Sequence, residues 1–84
     1  MEKTDKIIEE LNNISTELYN GNTNVGMAEI GLVLGEISSC ADDLSDEKKQ
    51  NLTEILGSLL EAMEQKDAIG MADIITYELI ELLK

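Results

Sequence analysis

Apolar residues recur early in the chain at Ile7, Leu11, Ile14 and Leu18, spaced four, three and four, with Ile8 beside them. Glu9, Glu10, Asn13 and Glu17 fall on the other side. A period near 3.6 with a polar back is the pattern of an amphipathic helix packed on one face. This helix is expected to begin near Thr4 or Asp5 as N-cap and to stop at Asn20-Gly21, where glycine accepts the left-handed conformation that closes many helices. Leu52, Leu56, Leu59 and Met63 repeat the spacing, with Ile55 and Leu60 alongside. They predict a similar third helix, capped by Ser45 and carrying Asp46 and Glu47 in its first turn.

Helices two and four read differently. Helix two, from a Thr23 or Asn24 cap to about Ala41, holds Val25, Met27, Ala28, Ile30, Leu32, Val33, Leu34 and Ile37 over most of its circumference. Its only charges, Glu29 and Glu36, lie seven apart on one narrow stripe. Asp42-Asp43-Leu44-Ser45 breaks the pattern, and a later turn at Gln65-Lys66-Asp67 leaves Asp67 to cap helix four. That helix carries Ile69, Met71, Ala72, Ile74, Ile75, Leu79, Ile80, Leu82 and Leu83. A helix apolar on most sides is buried against several neighbours. Helices two and four are therefore expected innermost, with one and three outside. The short turns make neighbours antiparallel. The expected fold is an all-α, antiparallel four-helix array in one domain, 1–84, with hairpin one about 4–41 and hairpin two about 46–84.

The two hairpins look alike. Val25-Gly26-Met27-Ala28-Glu29-Ile30 matches Ile69-Gly70-Met71-Ala72-Asp73-Ile74 at an offset of 44. The preceding helices match best at 45, where Lys3, Glu9 and Leu11 meet Lys48, Glu54 and Leu56. The one-residue difference is expected in the turns, Tyr19–Thr23 against Glu64–Asp67.

Composition narrows the chemistry. The chain has 84 residues, 6 basic (all Lys) against 18 acidic, a net charge of −12, two aromatics (Tyr19 and Tyr77), one Cys, and no His, Arg, Pro, Trp or Phe. A zinc site of ordinary N/S ligands is excluded within one chain, as are His-dependent triads and Glu-x-x-His di-iron sites. The absence of Arg and of a basic patch argues against nucleic acid as a partner. No metal, cofactor or catalytic constellation is implied. Cys40 has no internal disulfide partner and reads as a small buried hydrophobe near the end of helix two. Nothing in Met1–Lys6 resembles a signal peptide and no apolar run approaches the ~20 residues of a membrane span, so a cytoplasmic location with no membrane partner is expected.

Four motifs invite a chemical reading. Ala28, Gly31 and Gly35 lie three and four apart on helix two, and glycine within a helix costs roughly 1 kcal/mol relative to Ala. Close approach by another helix would offset that, either helix four with Ile75 and Leu79 or a helix from a partner. Asn20, Asn22 and Asn24 alternate like calcium ligands, but a calcium loop needs Gly and Glu where Val25 and Gly31 stand, and helix caps explain them better. Gly57-Ser58-Leu59-Leu60 lacks the Asp of an acyl carrier protein's Asp-Ser-Leu motif and falls mid-helix. On helix four, Asp73, Tyr77 and Glu81 share a face at i, i+4 and i+8, with Glu78 beside them. They form a solvated stripe or part of a partner-binding surface, since Tyr is favoured in interfaces.

Asp67, Ala72, Asp73, Tyr77, Glu78, Leu79, Leu82 and Leu83 together resemble the C-terminal motif of a group of small helical proteins of low-GC Gram-positive bacteria. That motif reads Gly-Asp-Tyr, three apolar residues, Ala-Asp-Leu-Leu-Glu-Tyr-Glu-Leu, an apolar residue and Pro-Leu-Leu. Ala68, Gly70, Thr76 and Glu81 depart from it. The resemblance covers residues 66–83 and assigns no chemistry. It implies a gene context among motility genes and a flagellar accessory role.

The expected function is a non-enzymatic protein-binding module, an adaptor or chaperone-like protein with an unidentified protein partner. The competing class is an acidic inhibitor or nucleic-acid mimic that occupies a basic partner. Because two largely apolar helices in 84 residues leave apolar surface uncovered, a homodimer is expected, formed by the helix-four face around Met71, Ile74 and Leu82.

Overall fold

The structure is a computed structural model that describes residues 2–84, with side chains from residue 4 onward. Lys3, matched above to Lys48, thus lies outside the described side chains. Four helices account for the fold: α1 (Glu2–Tyr19), α2 (Thr23–Ala41), α3 (Asp46–Glu64) and α4, which covers 68–83. Helix α4 has three stretches, an α-helical Ala68–Ile74, a π-helical turn Ile75–Leu79 and an α-helical Ile80–Leu83. The described residues contain no strand. The radius of gyration is 11.9 Å, in line with the roughly 12 Å of a compact domain of this length.

The local signals act where the residues allow it. Ser45 accepts a hydrogen bond from the Lys48 N–H at 3.2 Å and Asp67 accepts one from the Gly70 N–H at 3.0 Å, capping α3 and α4. Helix α2 differs from expectation: it starts at Thr23, and its N-cap, Asn22, makes no side-chain capping bond. Helix α1 already runs from Glu2, so Thr4 and Asp5 lie inside it rather than at its cap.

The turns after α1 and α3 close in one way. At the first, the Asn22 N–H donates to the Glu17 carbonyl at 2.9 Å and the Gly21 N–H to Leu18 at 3.1 Å. At the second, Asp67 N–H donates to Ala62 and Lys66 N–H to Met63, both at 3.0 Å. The left-handed position is Gly21 (φ 86°) in one and Lys66 (φ 54°) in the other. Each turn spans three residues, 20–22 and 65–67. The expected indel is therefore not in the turns. The offset of 45 continues through them, and the Gly-Met-Ala match at 44 falls one residue out of structural register. Gly26 is buried where Gly70 is only half-buried, and Met71 is buried where Met27 is half-buried.

The order of packing also corrects the expectation. Helix α1 packs against both α2 and α4, α4 packs against both α1 and α3, and α2 has α1 as its main neighbour. The row is α2–α1–α4–α3, so α1 and α4 are innermost and α2 is outside. Every apolar position of α1's predicted face is buried: Ile7, Leu11, Ile14 and Leu18. It meets Ile30, Val33 and Ile37 of α2 on one flank and Met71, Ile75 and Leu79 of α4 on the other. Cys40 is buried and free, as expected of a small hydrophobe.

The π turn has a packing reason. An unbroken α-helix rotates about 100° per residue, which would spread the buried Met71, Ala72, Ile75, Leu79, Ile80 and Leu83 over about 180°. A turn closed i to i+5 accommodates one extra residue and sets the following stretch back by about one residue's rotation. The same six residues then fall within an arc of about 120°, a width that α1 and α3 can cover.

Candidate functional site

Two surfaces of the row carry the residues singled out by sequence, and they differ in chemistry. The first is the outer face of α2. Ala28, Gly31 and Gly35 all lie there, exposed. A Cβ built on Gly31 or Gly35 would meet nothing within 4 Å, and neither has a positive φ. No helix of this chain approaches them, so the groove expected for helix four is absent. Leu32, in the same face, is 78% exposed and Val25 53%. Glu29 and Glu36 turn instead toward α1 and are half-buried, leaving the outer face from Asn24 to Ser39 without a charge.

The second surface is the exposed side of α4. Asp73, Tyr77, Glu78 and Glu81 are all exposed, in keeping with a solvated stripe, while Ile74 and Leu82 are half-buried. Met71 is fully buried, so the open apolar face expected around Met71, Ile74 and Leu82 does not exist. The ends of the stripe serve different neighbours. Toward α1, the Tyr19 hydroxyl donates to Asp73 Oδ1 at 2.7 Å, tying the end of α1 to the start of α4. That bond to the Asp73 carboxylate, together with partial desolvation, holds the Tyr19 phenol above its ordinary pKa.

Toward α3, Glu78, Glu81 and Leu82 form one wall of an open groove of about 530 Å³. Asn51, Glu54, Ile55 and Ser58 of α3 form the other. Ile55 and Leu82, half-buried, make an apolar floor between three exposed carboxylates. Among the described residues the ion pair at this groove is Lys84 Nζ to Glu81 Oε1 at 3.4 Å, with both side chains 60% exposed. An exposed pair of this kind is worth little and opens readily. The α4 wall is the one expected from sequence, and the α3 wall is not among those candidates. The signal was there in the i, i+4, i+7 spacing of Asn51, Ile55 and Ser58, but nothing in one helix names the helix it will face.

A smaller concavity of about 150 Å³ lies between α1 and α2, lined by Glu10, Asn13, Ile14, Glu29 and Leu32. Desolvation and the neighbouring Glu36 carboxyl raise the Glu10 pKa. Among the described residues no three acidic or thiol groups gather closely enough to hold a metal ion, and no helix is long and apolar enough to cross a membrane.

A family model described as "Domain of unknown function (DUF8042)" matches residues 1–84. The chain belongs to this family. No curated protein and no solved structure matches it. The family description adds no chemistry to the two surfaces.

Proposed function

We propose that the chain is a non-enzymatic protein-interaction module, and that it works as a homodimer paired through α2. The observation that carries this reading is the uncharged outer face of α2, where Leu32 is 78% exposed beside glycines that no contact within the chain explains. Each glycine costs roughly 1 kcal/mol relative to Ala in a helix. A second helix approaching closely would offset that cost.

A second copy suits the face for two reasons. At a net charge of −12 two chains repel over most of their surfaces, and this face is where they meet without opposing charges. It is also self-complementary. A twofold axis between Gly31 and Leu32, with the helices antiparallel, sets each Leu32 over the other copy's Gly31 and each Ala28 against Gly35. The proposed setting, carried by the resemblance of residues 66–83 alone, is motility.

Light scattering at micromolar concentration tests the pairing. The expected mass is twice the 9.2 kDa chain, with tighter association at high salt as repulsion is screened. Leu32→Glu should return the mass to one chain. A mass of one chain for the unaltered protein in both low and high salt would overturn the dimer.

A further inference from the structure

We propose that the groove between α3 and α4 docks a short basic amphipathic helix from another protein. Its floor and rim have different chemistry. Ile55 and Leu82 offer apolar surface that the fold leaves half-covered, and Glu54, Glu78 and Glu81 stand around it. An occupant must therefore present apolar side chains in a line with cations on both flanks. A helix with apolar residues at i, i+3 and i+4 and lysines or arginines beside them does this.

Size and charge decide among occupants. The α3 wall runs from Asn51 to Ser58, two helical turns or roughly 10 Å. With about 530 Å³ of open space, the groove takes several side chains rather than one. A second copy of this chain, at −12, is repelled from a carboxylate rim, and a nucleic-acid backbone is repelled for the same reason. Lys84 pairs with Glu81 of the rim at 3.4 Å, with both side chains exposed, and an incoming cation can replace it. The groove lies on α3 and α4, at the opposite end of the helix row from the proposed pairing face of α2. Dimerisation leaves it open, and the two proposals stand or fall separately.

The probe is a fluorescein-labelled 15-residue Leu/Lys peptide with helical amphipathic order, compared by anisotropy with a peptide of the same composition in scrambled order. The ordered peptide is expected to bind at least tenfold more tightly. Glu54→Lys and Glu78→Lys should each weaken it about fivefold or more, and Ser58→Trp, which fills the groove from an exposed position, should abolish binding. Glu9→Lys makes the same change in net charge on the exposed surface of α1 and should alter affinity less than twofold. Amide shifts in NMR titration should gather along 51–58 and 78–82. Equal binding of the scrambled peptide, an equal loss in Glu9→Lys, or shifts centred on 25–35 of α2 would each overturn the proposal.

Discussion

Helices α2 and α4 begin with nearly the same residues, Val-Gly-Met-Ala-Glu-Ile and Ile-Gly-Met-Ala-Asp-Ile, yet one lies at the edge of the molecule and the other at its centre. Both are apolar on most sides, so a count of apolar residues cannot separate them. Size does. Outside the shared start, α4 offers Ile75, Leu79, Ile80 and Leu83 to its neighbours, all buried. The outer face of α2 carries Ala28, Gly31 and Gly35, and of its large side chains only Val25 and Leu32 lie there, both left exposed. Burial of a large aliphatic side chain stabilises by about 1.5–3 kcal/mol, whereas glycine has almost no apolar area to withdraw from water. The helix with bulk on two sides gains most from two neighbours. The helix with bulk on one side needs only one.

The largest difference between α2 and α4 is expected at their methionines. Met71→Ala removes a fully buried side chain and should cost about 2–5 kcal/mol in a denaturant melt. Met27→Ala, its counterpart by sequence, removes a half-buried one and should cost about 1 kcal/mol. Equal losses would mean that α2 is as enclosed as α4.

Glycines sharpen the same contrast within α2. A Cβ on Gly26 would lie 2.5 Å from Leu18 Cδ2, so Gly26→Ala should destabilise by about 1–3 kcal/mol. Gly31→Ala and Gly35→Ala add a methyl into open space. In dilute solution each should stabilise by about 0.5–1 kcal/mol, while at high concentration each should weaken the proposed self-association. A loss of monomer stability from either would place another helix over that face.

At the helix starts, Asp67→Ala removes a side-chain cap and should cost about 1 kcal/mol. Asn22→Ala, at a position with no side-chain cap, should cost only a few tenths. Thermal melts of the two variants give the difference.

The smallest effect is electrostatic and belongs to the α1–α2 seam. Glu10 has a raised pKa in the fold, through desolvation and the adjacent Glu36 carboxyl. The folded state therefore holds this proton more tightly than the unfolded chain does. The resulting stability is fully present below the ordinary value of 4.5 and is lost as pH rises through the raised value. Glu10→Gln should flatten this part of the pH profile, visible as a smaller rise in melting temperature on acidification than in the unaltered chain.

Much of the fold was legible because it rests on local chemistry. The face of α1, the Ser45 and Asp67 caps and the left-handed Gly21 each follow from residues within one or two turns of one another. The candidate sites were legible in part. Asp73, Tyr77, Glu78 and Glu81 are exposed as a polar stripe among apolar residues must be, but the groove needed Asn51, Glu54, Ile55 and Ser58 from a different helix. The full burial of Met71 departs from expectation because periodicity says which residues share a face and not which neighbour covers it.

Residues close in the chain account for the four helices, the places where they break and the amphipathic face of α1, since hydrogen bonding within a helix and capping at its ends are local. Tertiary structure alone decided that α1 and α4 share the centre, that Tyr19 meets Asp73 across 54 residues, and that the outer face of α2 stays uncovered. It also decided the π turn at Ile75–Leu79, which has no purpose in an isolated helix. There the backbone gives up regular α-helical closure so that Ile80 and Leu83 face the core with Met71 and Ile75. The gain that favours this comes from burial between helices, and its size depends on neighbours that the local sequence does not specify.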